Sequence, residues 1–155
     1  MTTGKLDFTS LHNALARLKE GYARYESDVS DIQIRDGLIQ RYEFTYEISH
    51  KMLKRHLEMT SANPDAFDTL PFADLIRTGN EQSLLKSDWT AWKIFREMRA
   101  KTSHTYDEDV AQTVVKVIPT FIEEIKFLVY QLDQRHGWDI SIDSTARAKV
   151  HKRHL

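Results

Sequence analysis

Apolar residues recur along this chain in steps of three and four. Phe8, Leu11, Leu15, Leu18, Tyr22 and Tyr25 form one stripe on a predicted helix of about five turns. Asp31 can cap a second helix running to about Thr60. Leu38, Tyr42, Met52 and His56 share one of its sides, and Ile39, Tyr46, Leu53 and Leu57 widen that side. Phe44 and Ile48 add apolar surface elsewhere, which puts this helix at the centre of the molecule or against a second subunit. Ser61-Ala62-Asn63-Pro64-Asp65 closes it.

A short helix around Phe72, Leu75 and Ile76 is predicted to stop at Gly79-Asn80. Glu81 to Ser87 reads as a loop. Ser87 or Asp88 can then cap a helix carrying Trp89, Trp92 and Phe95, which ends near Arg99 or shortly after. The last long helix carries Val110, Val114, Val117, Phe121, Ile125, Leu128 and Leu132, and Gly137 ends it. Pro119 falls inside and should bend it, because proline removes a backbone donor and crowds the preceding turn. No alternating run of strand length and no 20–50-residue repeat is present. The pattern predicts an all-α, up-and-down helical bundle of about five helices.

The bundle is expected to occupy residues 1–136, and residues 137–155 read as a C-terminal basic tail. Trp138 to Ile142 alternates briefly, and Lys149, His151, Lys152, Arg153 and His154 make the end basic. A solvated tail is the simpler reading, and an arm touching RNA or a partner protein is the sharper one. His151 and His154 have a metal-ligand spacing but no third ligand, so no metal is expected.

At 155 residues the chain is most simply one domain, with 41% hydrophobic residues enough to fill a core. A formal net charge of -1 means that overall charge does not predict a nucleic-acid partner. The absence of cysteine excludes disulfides, thiolate zinc sites and a cysteine nucleophile. Met1 to Lys5 is not followed by an apolar run, and nothing approaches the ~20 apolar residues of a membrane span. No membrane association and a cytoplasmic location are expected.

The candidate chemistry lies in Arg99-Ala100-Lys101-Thr102-Ser103-His104, followed by Tyr106. On an unbroken helix Arg99 and His104 would be about 140° apart. They converge only if the helix breaks between them or a second subunit supplies one. Thr105-Tyr106-Asp107-Glu108 fits a capping box, with Thr105 as cap, Tyr106 first in the helix and His104 just before it. Free donors and the positive dipole end would favour an anion there, such as a phosphate, and would keep His104 towards its neutral form. Arg99 offers a fixed fork to phosphate oxygens, and Lys101, Thr102 and Ser103 add donors. An arginine capping carbonyls beside a packed histidine would use the same residue types, so these alone leave both readings open. Asp36, Gln40, Glu43 and Glu47 make a polar stripe on the second helix, solvated or at an interface, without a histidine to suggest a metal. Trp89, Trp92 and Phe95 read as core rather than as a stacking platform for bases.

Arg99, four intervening residues, His104 and Tyr106 resemble the R-x4-6-H signature of the HEPN superfamily. They resemble more closely the R-x4-H-x-Y form of the HepT toxins. The run Arg35 to Glu47 is similar to that of the nucleotidyltransferase substrate-binding proteins in this group, and Trp89 and the Thr102–Tyr106 segment fit too. The resemblance spans roughly Leu6 to Leu132. It implies a helical homodimer in which two motifs face one cleft, and a metal-independent endoribonuclease with no cofactor. It further implies His104 as general base on a ribose 2′-hydroxyl and Arg99 as the group that orients and stabilises the phosphate. Tyr106 would be the hydroxyl that a partner MntA-type nucleotidyltransferase antitoxin modifies with AMP, the alternative being a half-buried aromatic that holds the junction. One position departs from the pattern: the residue after the arginine, often Asn or Asp in HEPN ribonucleases, is Ala100. The alternatives to a toxin ribonuclease are a non-catalytic subunit that binds substrate or nucleotide for a separate nucleotidyltransferase, and a helical scaffold.

Overall fold

Each predicted stripe is buried against its neighbours. The computed structural model describes residues 6–137. Among these are five α-helices and no strand: α1 (Thr9–Ser27), α2 (Ile32–Met59), α3 (Phe72–Glu81), α4 (Trp89–Lys101) and α5 (Glu108–His136). One-turn 3-10 segments occupy Pro64–Asp68 and Thr102–His104. The basic tail, with His151 and His154, lies outside the described residues. No described helix is long and apolar enough to cross a membrane.

The α2 helix is the hub of the bundle and touches α1, α3, α4 and α5. Asp31 opens it as its sequence suggests, its carboxylate accepting from the Ile34 N–H at 3.1 Å. Leu38, Tyr42 and Leu53 are buried on its inner side, whereas Phe44 stays exposed. The densest packing is aromatic. The Phe121 ring from α5 meets Tyr42 edge-on at 4.8 Å and Phe95 at 5.2 Å, while Trp92 abuts Phe95 at 5.3 Å. Trp92 and Phe95 are therefore core, and Trp89 is half-buried beside Phe72. The Tyr42 hydroxyl donates to the Phe95 carbonyl at 2.6 Å, so a polar atom buried in this cluster keeps a partner.

The expected stop at Gly79-Asn80 is a correction: α3 continues through both. Gly79 is buried there, and a Cβ at that position would lie 3.0 Å from Leu85 Cδ1 and 3.2 Å from Leu53 Cδ1. Its missing side chain serves close packing. The helix ends instead at Glu81, and just beyond it Ser83 adopts a left-handed φ of 62° while the Leu84 N–H returns to the Gly79 carbonyl at 2.9 Å. Gly137 ends α5 with a φ of 59°. Pro119 sits within α5 on its exposed side, and the helix continues past it. The 82–88 connection is anchored by Glu124, buried on α5, whose carboxylate accepts from the Lys86 N–H at 2.9 Å and the Ser87 N–H at 3.3 Å.

At the end of the bundle away from the candidate motif, His56 Nδ1 and His136 Nε2 share a proton at 2.8 Å. Burial, then His136 and Arg135, lower the His56 pKa to about 4, and burial lowers that of His136. Between that value and the ordinary 6.5 the unfolded chain binds more protons than the folded one, so stability rises with pH across the window and is lost as pH falls. Denaturant unfolding should show a loss on the order of 2–3 kcal/mol from pH 6.5 to 4 that His56→Gln largely removes. Equal slopes for the two proteins would contradict it.

Candidate functional site

The chain around the motif is shaped by two aspartate caps. Asp88 opens α4, its carboxylate accepting from the Thr90 N–H at 2.9 Å. The helix runs to Lys101, tightens into the 3-10 turn Thr102–His104 and then reverses, the Asp107 N–H donating to the His104 carbonyl at 3.1 Å. Asp107 opens α5, accepting from the N–H groups of Asp109 at 2.9 Å and Val110 at 3.3 Å.

The expected capping box is thus corrected: Asp107, not Thr105, is the cap, and Tyr106 precedes the helix rather than starting it. The Thr105 hydroxyl turns back towards the Thr102 carbonyl. A carboxylate accepts two helix-end donors better than a hydroxyl does, and Glu108 is drawn elsewhere. The expected empty anion seat at this helix mouth is also corrected, because the Asp107 carboxylate fills it, with Glu108 and Asp109 adding charge of the same sign.

Arg99 is turned towards α2. Its Nε donates to Glu47 Oε2 at 3.0 Å, Nη2 makes a second, short contact to the same oxygen, and Nη1 lies 3.2 Å from Glu43 Oε2. The Thr102 hydroxyl sits at this junction, 2.7 Å from the Arg99 carbonyl and 3.3 Å from Glu43 Oε2. The Arg99 side chain remains 28% exposed. A guanidinium has five donors in a plane, so these carboxylates fix its orientation and leave N–H groups over for an incoming anion.

His104 is exposed, and its ring faces that of Tyr106 at 6.1 Å and 75°. Tyr106 is 87% exposed, which replaces the half-buried alternative. Lys101 and Ser103 also face solvent, while Thr102 faces α2. The break between Arg99 and His104 is therefore present, yet no hydrogen bond joins the two side chains among the described residues. Arg99 marks the α2 side of the turn, and His104 and Tyr106 its solvent side.

Sequence reasoning missed Arg35. It is buried at the start of α2 and donates from Nη1 to both Glu108 oxygens at 2.7 Å, with Asp36 Oδ1 3.2 Å from Nη2. This bond holds the Glu108 carboxyl below its ordinary range, with Gln112 adding to the effect. The capping-box reading had assigned Glu108 to its own helix and so hid a pair 73 residues apart. The polar stripe on α2 was visible, but its partners were not. Glu43 and Glu47 hold Arg99, and Asp36 supports Arg35. No group of three or more His, Cys, Asp or Glu residues able to hold a metal is present among the described residues.

This fold and motif have known counterparts. The family model for nucleotidyltransferase substrate binding protein like chains matches residues 6–134. The chain belongs to that family. The probable ribonuclease HepT of Haemophilus influenzae is 35% identical over 147 residues, covering 90% of this chain and 100% of that protein. A solved Haemophilus influenzae structure, presented as the fold of a substrate binding domain of a nucleotidyltransferase, superposes with a TM-score of 0.76 at 32% identity, over 81% of this chain and 98% of its own. A Thermus thermophilus structure superposes at 0.62 with 25% identity, over 79% of this chain and 98% of its own.

The Arg35 pair has an asymmetric consequence. Removing Glu108 leaves a buried guanidinium with one weaker partner, whereas removing Arg35 leaves a carboxylate that solvent and the α5 N-terminus both accommodate. Glu108→Ala should therefore lower the melting temperature by several degrees, more than Arg35→Met does. The reverse ranking in thermal unfolding would contradict this assignment.

Proposed function

We propose that this chain is a HepT-type toxin: a metal-independent endoribonuclease whose R-x4-H-x-Y motif is Arg99, His104 and Tyr106. The observation that carries the reading is the turn itself, which presents the His104 and Tyr106 rings to solvent beside an arginine oriented by two carboxylates. The 35% identity to a probable ribonuclease HepT supports it.

His104 takes the proton of a ribose 2′-hydroxyl, and the freed oxygen attacks the adjacent phosphorus. The O2′–P bond forms and the P–O5′ bond breaks, the departing 5′-oxygen taking a proton from solvent. A cyclic phosphate remains on the upstream fragment. Arg99 orients the phosphate and meets its growing charge with the N–H groups that Glu43 and Glu47 leave available, while Lys101 and Ser103 add donors from the exposed face. In the homodimer the two turns line one cleft, and the exposed Phe44 on α2 supplies apolar surface for a second chain. A separately encoded MntA-type nucleotidyltransferase silences the site by transferring AMP from ATP to the Tyr106 hydroxyl, the O–P bond forming as pyrophosphate leaves, which places a bulky anion beside His104.

A second reading is favoured by the solved structure presented as a substrate binding domain of a nucleotidyltransferase. Here the same turn presents a substrate or nucleotide to the partner without cutting RNA. Ala100, exposed where many HEPN ribonucleases carry Asn or Asp, is compatible with it.

Expression separates the two. Wild type should arrest growth and cut RNA in the presence of chelator. His104→Ala should lower the cleavage rate by ~10²–10⁴ and Arg99→Ala by ~10²–10³, and both should relieve the arrest. Harmless wild-type protein without RNA cleavage would favour the binding subunit. With the partner and ATP, wild type should gain AMP mass and Tyr106→Phe should not; full modification of that variant would exclude Tyr106 as acceptor.

A further inference from the structure

Beyond Glu47, the partner of Arg99, α2 carries a groove of about 380 Å³ lined by Tyr46, Glu47, His50, Lys51 and Lys54. Every lining residue is on α2, and Arg96 faces them from α4. The Arg96 guanidinium lies over the Phe72 ring at 5.3 Å, and the other side of the His50 ring wall is the same Phe72, met edge-on at 4.7 Å. Stacking on an aromatic face fixes the plane of the guanidinium and strips water from one side of it, while its N–H groups stay available at the edge. Among the described residues Arg96 makes no ion pair, and neither does the exposed Lys51. Glu47, the acid in the lining, is engaged by Arg99. Lys54 shares its charge loosely with Glu58 at 3.9 Å and Asp68 at 3.7 Å.

Two electrostatic responses place the cations together. Arg96 and Arg99 both oppose the rise that burial imposes on Tyr46, whose hydroxyl is pushed up to about 12. His50 is lowered by burial, and then by Lys54 and Arg96, against a smaller pull from Glu47. Arg99 and Arg96 therefore lie near Tyr46, Arg96 and Lys54 near His50, and the exposed Lys51 lines the same groove. Glu47 to Lys54 spans ~10 Å at 1.5 Å per residue, room for more than one backbone phosphate.

We infer that this groove is a phosphate-binding subsite in which Arg96 and Lys51 hold backbone phosphates of a single-stranded RNA next to the phosphate that Arg99 orients. The inference rests on the ribonuclease reading for its substrate, and it assigns residues outside the R-x4-H-x-Y motif. Backbone contacts of this kind give affinity and register without sequence preference. His50 supplies a polar edge within the groove, and Phe72 braces the arginine rather than stacking with bases.

The test is fluorescence anisotropy on the full chain carrying His104→Ala, so that RNA is not consumed, with a labelled ten-nucleotide RNA over a range of salt concentrations. Adding Arg96→Gln and Lys51→Gln together should weaken binding roughly tenfold or more and lower the salt slope by about 1.4, two phosphate contacts at ~0.7 each. Lys51→Gln alone, at an exposed position with no packing role, should lower the slope by about half of that. A labelled dinucleotide, too short to reach the groove, should lose nothing. RNA affinity and slope unchanged by both substitutions would overturn the inference. So would an ATP competition in which ATP binding depends on Arg96 and Lys51 while RNA binding does not, since the groove would then hold a free nucleotide. A wild-type chain that binds RNA through these residues but never cuts it would support the groove and defeat the ribonuclease reading.

Discussion

A guanidinium drawn out of water is held most firmly by carboxylates, and α2 joins two such pairings to the candidate turn. On one side Glu43 and Glu47 hold Arg99 at the end of α4, and on the other Arg35 holds Glu108 at the start of α5. The segment between them carries His104 and Tyr106. Both ties are rooted in the most heavily packed helix of the bundle, so the turn is short, anchored at both ends and exposed in the middle. That is the combination a site needs when it must be rigid yet reachable by a large substrate.

The two ties are of different kinds. Arg35 is buried and its partner exposed, which makes it a structural clamp with one geometry. Arg99 is partly exposed and bonded to carboxylates that do not exhaust its donors. Glu43 and Glu47 thus orient the guanidinium before an anion arrives and also lower its net charge. On the proposed reading a phosphate competes with them, which favours a substrate that brings further contacts over a lone phosphate ion. The groove on α2 that carries Lys51 and Lys54, with Arg96 near its His50, suits such a substrate.

Much of this was legible in the residue pattern. The three-four stripes fixed five helices because each stripe had to be buried, and the caps at Asp31 and Asp88 and the stop at Gly137 follow from local chemistry. The R-x4-H-x-Y spacing marks the turn in the sequence alone. The misses share a cause, which is competition that local rules do not see. Thr105 lost the cap to Asp107 because Glu108 was needed by Arg35, far away in sequence. Gly79 is small for Leu53 and Leu85 rather than for a turn. Glu43 and Glu47 stood out as a stripe, but their pairing with Arg99 depends on how α2 crosses α4. Tyr106 could be weighed only once its exposure was known.

Family membership narrows the chemistry without choosing between cutting RNA and presenting a substrate. The distinguishing feature is the use of the 2′-hydroxyl, because the proposed ribonuclease reading makes it the nucleophile and His104 the base that takes its proton. The most direct measurement is cleavage of a synthetic RNA beside the same RNA with one 2′-deoxy nucleotide at the cleaved position, followed by analysis of the fragment ends. The account predicts that the deoxy substrate resists cutting at that bond and that the normal substrate ends in a 2′,3′-cyclic phosphate. Cutting of the deoxy bond at an undiminished rate, leaving 5′-phosphate ends, would contradict it.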